Sequence, residues 1–145
     1  MELKGYALQM FKFELEEAVG REHVISKEEL LKELSIDYFW VTHMWKEKGE
    51  ELPLPYFIVR PETTEEVSKV MQICNTYKVP VVPRGGGSGS AGGAATLYGG
   101  IVLDLTRMDK IIEIDKQSLI LTAQPGINGR VLEDRLNEEG LMLAH

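Results

Sequence analysis
With 145 residues, a net charge of −7 and 43% hydrophobic side chains, the chain has the size and balance of one globular domain with a real core. The acidic balance argues against a nucleic-acid partner, which calls for a basic face, and no apolar run reaches membrane-spanning length. Glu2 and Lys4 make the N-terminus amphipathic rather than secretory, and a lone Cys74 excludes a disulfide framework and a cysteine-based metal site, so a cytoplasmic location is expected.

Leu3, Tyr6, Ala7, Met10, Leu15 and Ala18 recur near helical spacing, which predicts an amphipathic helix over residues 2–19 with Gly20 as its stop. Ser26, Lys27, Glu28 and Glu29 have capping-box spacing and open a short helix carrying Leu30, Leu31 and Leu34. Residues 37–55 read as an irregular loop anchored by Trp40 and Trp45, with Lys46, Glu47, Lys48, Glu50 and Glu51 as solvated charges. Tyr56, Phe57, Ile58 and Val59 then predict a strand. Thr63, Thr64, Glu65 and Glu66 form a second capping box, and Val67, Val70, Met71, Cys74 and Tyr77 mark one face of the helix that follows.

Lys78, Val79 and Pro80 end that helix, and Val81 and Val82 begin another strand. Strand, helix, strand in this order predicts a βαβ unit with a parallel pair. Further strands are expected at residues 101–105, 111–114 and 118–123, the last two joined as a hairpin about Asp115, Lys116 and Gln117. Gly126, Ile127 and Asn128 lead into a helix with Val131, Leu132, Arg135 and Leu136 on its face, stopped by Gly140. Leu141, Met142 and Leu143 read as a final strand.

The most informative stretch lies between two of these strands. After Val81, Val82, Pro83 and Arg84 come Gly85, Gly86, Gly87, Ser88, Gly89, Ser90, Ala91, Gly92 and Gly93. Backbone without Cβ atoms can come close to a ligand, and successive N–H groups in such a loop form anion-binding concavities. Residues 67–103 contain no Asp or Glu but do contain Lys69, Lys78 and Arg84, which favours a phosphorylated ligand over a flexible linker. Residues 87–92 also match G-x-G-x-x-G, yet that dinucleotide fingerprint needs a helix after it. Here Gly99, Gly100 and a strand follow, so the Rossmann reading fails, and no Gly-Lys-Ser/Thr supports a P-loop.

Four ordered blocks carry a family resemblance: residues 59–67, residues 79–93, residues 99–108 and the run Ala123, Gln124, Pro125, Gly126. Together they resemble the first half of the flavin-binding domain in vanillyl-alcohol-oxidase-type (PCMH-type) FAD oxidoreductases, in the glycolate oxidase and D-lactate dehydrogenase branch. The N-terminal helix and residues 19–24 resemble that branch too. The resemblance implies an α+β (α/β-like) fold: the βαβ-containing first subdomain of the PCMH-type FAD-binding fold, preceded by N-terminal helices. Residues 1–54 would be a helical segment and irregular loop, and residues 55–145 the first half of the FAD-binding domain. It further implies that Pro83, Arg84, Gly85, Gly86, Gly87, Ser88, Gly89, Ser90 and Gly93 bind FAD. Some relatives carry a flavin-linking histidine at the position of Ser88, so FAD here is expected to be non-covalent. The relatives' second flavin-binding half and substrate cap domain have no counterpart in these residues, and no catalytic residue is assigned.

The remaining candidates read as structural. Cys74 lies on an apolar helix face, which suits a buried thiol. His23, His43 and His145 lack metal-ligand spacing. Asp104 is a candidate for a ribose hydroxyl, but a turn role at a strand end fits better. Two functions follow: the FAD-binding portion of an oxidoreductase acting on a 2-hydroxy acid such as glycolate or D-lactate, or a non-catalytic remnant or interaction module. A homodimer or a complementing chain is the expected protein partner.

Overall fold
The computed structural model describes residues 3–50 and 52–144. Glu2, at the expected start of the first helix, the solvated Glu51 and the lone His145 lie outside the described residues. In chain order the elements are α1 (Gly5–Val19), β1 (Val24–Ile25), α2 (Glu28–Leu34), α3 (Trp40–Glu47), β2 (Phe57–Val59) and α4 (Thr64–Tyr77). After them come β3 (Val81–Arg84), β4 (Ile101–Asp104), β5 (Ile111–Asp115), β6 (Ile120–Ala123) and α5 (Gly129–Glu138). The main sheet runs β1-β2-β4-β3, with β2 and β3 both parallel to β4 and β1 antiparallel to β2.

Side chains alternate across this sheet, and each face finds a cover. Phe57, Val59, Ile101 and Leu103 pack with Phe11, Leu15 and Val19 of α1 and with Val70 and Cys74 of α4. The intervening Ile58 and Val102 point the other way, onto Leu31 of α2. Every residue of β2 and β4 is buried, as expected where both faces of a parallel pair are covered. The capping box at Thr63 forms: its hydroxyl accepts the Glu66 N–H at 3.1 Å. The Glu66 carboxylate reaches back to the N–H of Glu62 at 2.6 Å. The hairpin forms as expected, β5 pairing antiparallel with β6, and the Asp115 carboxylate accepts the N–H groups of Gln117 and Ser118 at its turn.

Five expectations are corrected. Residues 40–47, read as loop, are helix α3. Its entry is an Asx turn in which Asp37 accepts the Phe39 N–H at 3.0 Å, and Thr42 inside the helix is buried. Trp40, expected as an anchor, is 66% exposed and meets the Phe39 ring edge-on. The box at Ser26 does not form, because α2 begins one residue later than that spacing requires; Glu28 pairs with Lys32 at 2.7 Å instead. β2 and β3 are parallel but not neighbours, since β4 enters between them. Residues 141–143 form no strand: the Leu141 N–H bonds back to Leu136 at the end of α5, and the Leu143 N–H goes to the Glu133 carboxylate.

Candidate flavin site
Parallel neighbours need a crossover, and between β3 and β4 that crossover is the glycine-rich loop itself. It leaves β3 at Arg84 and must return to Ile101, whose N–H bonds Pro80 at the start of β3 at 2.9 Å. No helix forms on the way. The loop is held instead by the segment between α2 and α3. Tyr38 N–H donates to the Gly89 carbonyl at 3.0 Å and Thr96 N–H to the Ser35 carbonyl at 2.9 Å. The Asp37 carboxylate accepts the Ala94 N–H at 3.2 Å. Gly92 turns at φ +79°, and a Cβ there would stand 2.9 Å from the Phe39 ring.

Held in this way, the loop leaves its donors open. None of the N–H groups of residues 85–93 finds an acceptor among the described residues. A run of amide donors with no protein acceptor is what an anion-binding concavity requires. Two cavities flank it. One, of about 420 Å³, lies at the carboxyl ends of the parallel strands and is lined by Arg60, Arg84, Gly85, Gly86, Gly87, Asp104, Thr106 and, from the α2–α3 side, Glu33, Asp37, Tyr38 and His43. The other, of about 490 Å³, is lined by Gly86, Ser88, Tyr38, Thr106, Asp109, Gly126, Asn128 and the start of α5. Gly86, Tyr38 and Thr106 border both, so the loop is a ridge between two halves of one groove. Crevices beyond strand carboxyl ends are the usual ligand position in open α/β sheets.

The charges around this groove are assigned. Asp104, 2% exposed, accepts from Arg60 Nε at 2.7 Å and from both the N–H and hydroxyl of Thr106. Both its oxygens are committed, so it serves the strand end and not a ribose. Arg84 donates through Nη1 to the carbonyls of Ile36 at 2.7 Å and Leu34 at 3.4 Å, at the C-terminal end of α2. It forms no ion pair with a carboxylate among the described residues, although Glu33 and Asp37 line the same cavity, and it stands beside the open amides. The loop's bare backbone, open donors and Arg84 fit a pyrophosphate.

Of the residues expected to bind FAD, Arg84, Gly85, Gly86, Gly87 and Ser88 line the groove. Gly89 is turned to Tyr38 by its carbonyl. Pro83 sits in β3 opposite Leu103, and Ser90 and Gly93 are exposed outside both cavities. Asp37, Tyr38, His43, Arg60 and Thr106 reach the groove without having been expected there; Arg60 and Thr106 lie in the blocks that carry the family resemblance, and Asp37 opens the Asx turn before α3. No group of three or more His, Cys, Asp or Glu able to hold a metal occurs among the described residues. No helix among them is long and apolar enough to cross a membrane.

The sequence pattern of a family described as an FAD binding domain matches residues 55–145. An uncharacterised FAD-linked oxidoreductase of Escherichia coli strain K12, YgcU, is 37% identical over 139 residues, covering 91% of this chain and 27% of that protein. The glycolate oxidase protein GlcD of Bacillus subtilis is 40% identical over 74 residues, 51% of this chain and 16% of its own. Among solved structures, an alkyldihydroxyacetonephosphate synthase superposes with a TM-score of 0.83 at 25% identity, over 100% of this chain and 29% of that one. The chain thus spans about a quarter of the length of the relatives it matches. The match over residues 55–145, on a sheet whose crossover presents open amides at the strand ends, places this chain in the FAD binding domain family, with FAD as its cofactor.

Proposed function
We propose that this chain is the FAD-holding portion of a flavin-dependent oxidoreductase that acts on a 2-hydroxy acid such as glycolate or D-lactate, with the substrate-facing chemistry carried by residues outside these 145. The observation that carries the reading is the row of open amides at residues 85–93 beside the unpaired Arg84. The similarity to the glycolate oxidase protein GlcD supports the substrate class. In this reading the amides of residues 85–88 and the Arg84 guanidinium hold the pyrophosphate, and the groove walls orient the rest of the cofactor. The flavin supplies the hydride and electron chemistry when bound. Ser88 offers no ring nitrogen, so the cofactor is held without a covalent link. A cytoplasmic setting fits the single buried thiol of Cys74.

The test is an absorbance spectrum of the purified chain after incubation with FAD and gel filtration. Flavin bands near one equivalent that leave with the supernatant on acid precipitation are expected. A colourless protein, or flavin that stays in the precipitate, refutes the respective half of the reading. A second reading, an interaction module without effective flavin binding, is favoured by one observation: Ile112, Leu119, Ile120 and Met142 are all more than half exposed around β5, β6 and the C-terminal tail.

A further inference from the structure
The Ser35-to-Phe39 segment lies outside the stretch that matches the family, yet it makes the contacts that shape the glycine loop. Asp37 is its centre. The residue is 4% exposed, and its two carboxylate oxygens are divided between two elements: Oδ1 takes the Phe39 N–H at 3.0 Å and Oδ2 the Ala94 N–H at 3.2 Å. Its own carbonyl is held by His43 Nε2 at 2.9 Å. The next residue, Tyr38, donates to the Gly89 carbonyl.

We propose that Asp37 is a positioning residue of the flavin site, latching the far end of the loop so that its amides stay turned toward the pyrophosphate; the proposal rests on the FAD reading above. The geometry of the peptide unit carries the argument. In a trans peptide the carbonyl and the following N–H point in opposite directions. With the Gly89 carbonyl committed to Tyr38, the Ser90 N–H is turned away from the α2–α3 segment. Asp37 binds the Ala94 N–H at the end of the same stretch, so the open donors of residues 85–93 are bracketed by Arg84 on one side and Asp37 on the other. A glycine-rich segment has no side chains with which to fix its own direction, and unfixed it pays its ordering entropy on binding. The latch settles that cost during folding. A buried carboxylate close to an anion-binding loop is tolerable because each of its oxygens accepts a hydrogen bond from a backbone N–H.

The experiment compares the full chain with Asp37→Asn and Asp37→Ser by amide hydrogen exchange without FAD and by titration with FAD. Either variant keeps one acceptor for the Phe39 turn but lacks the second oxygen that Ala94 uses. Expected are faster exchange at the hydrogen-bonded amides of Ala94, Ala95 and Thr96, unchanged protection of β2 and β4, and FAD binding weaker by roughly 10-fold or more. FAD binding within about twofold of the parent, unchanged loop exchange, or loss of β2 and β4 protection in both variants overturns the proposal. If the parent chain fails to bind FAD, the functional reading falls, while the exchange comparison still decides whether Asp37 latches the loop.

Discussion

Gly87 lies directly over the guanidinium of Arg84: its backbone turns at φ +69°, and a Cβ there would overlap the arginine side chain. Gly86, one residue earlier, has an ordinary φ and nothing within 4 Å of where its Cβ would be. The two glycines are therefore not equivalent. Gly87→Val forces both a left-handed β-branched residue and a displaced Arg84. It is expected to lower FAD affinity by roughly 10-fold or more, since the loop amides and the cation move together. Gly86→Ala should leave the unliganded fold unchanged and act only where the added methyl meets the cofactor. Calorimetric titration of both, with circular dichroism of the unliganded forms, checks the contrast.

Arg84→Ala removes a charge and also a clamp, because Nη1 caps the carbonyls of Leu34 and Ile36. FAD affinity should fall, and fall furthest at low ionic strength, where the charge contribution is least screened. Affinity that drops equally at low and high salt would reduce Arg84 to its clamp role.

Arg60 and Asp104 tie the ends of β2 and β4 through a buried carboxylate. Removing Asp104 leaves Arg60 and the Thr106 donors without their acceptor. Asp104→Ala is expected to destabilise the fold by about 3 kcal/mol, the low end for breaking a buried pair because Arg60 is partly exposed. Urea denaturation of the variant measures it.

Cys74 sits in the core between α4 and the sheet, and burial pushes its thiol up to about 12. In the unfolded chain a thiol ionises near about 8.5. Between those values the unfolded state loses its proton while the folded state keeps it, so the unfolded state gains as the pH rises. Stability should therefore be full below about pH 8.5 and decline toward pH 12. Cys74→Ala should lose that part of the alkaline slope in denaturation curves. An identical slope in the variant would refute the assignment.

The β5–β6 hairpin exposes Ile112, Leu119 and Ile120, and residues 141–144 line a neighbouring cavity of about 430 Å³ with Ile114 and Leu121. Contiguous apolar surface of this kind is usually covered, and a second copy of the chain is the expected occupant. Light scattering across protein concentrations, with and without FAD, should reveal a dimer that Ile120→Lys dissociates. A monomer at every concentration would exclude it.

Local chemistry made the helices α1, α4 and α5, the strands β2, β3 and β4 and the glycine loop legible from residues alone, while the two-residue β1 was not. Apolar spacing, the Thr63 cap and the loss of side chains after Arg84 act over a few neighbours, and those signals survive in one dimension. Helix α3 was not legible, because it is short and the turn that starts it is fixed by Asp37, whose second oxygen is satisfied only by Ala94 across the fold. The order β1-β2-β4-β3 was equally hidden, since which strand lies between two others depends on the path of the loop and not on strand composition.

The site shows the same division. An acid-free window around the loop is a true property of residues 67–103, yet folding brings Glu33, Asp37 and Asp104 to the cavity that the loop lines. The sequence by itself determined that bare backbone and one arginine follow β3 together. Only the tertiary structure decided which amides remain open, which cation stays unpaired and which carboxylate holds the loop. Those outcomes depend on hydrogen-bond partners more than fifty residues away, such as Ala94 for Asp37.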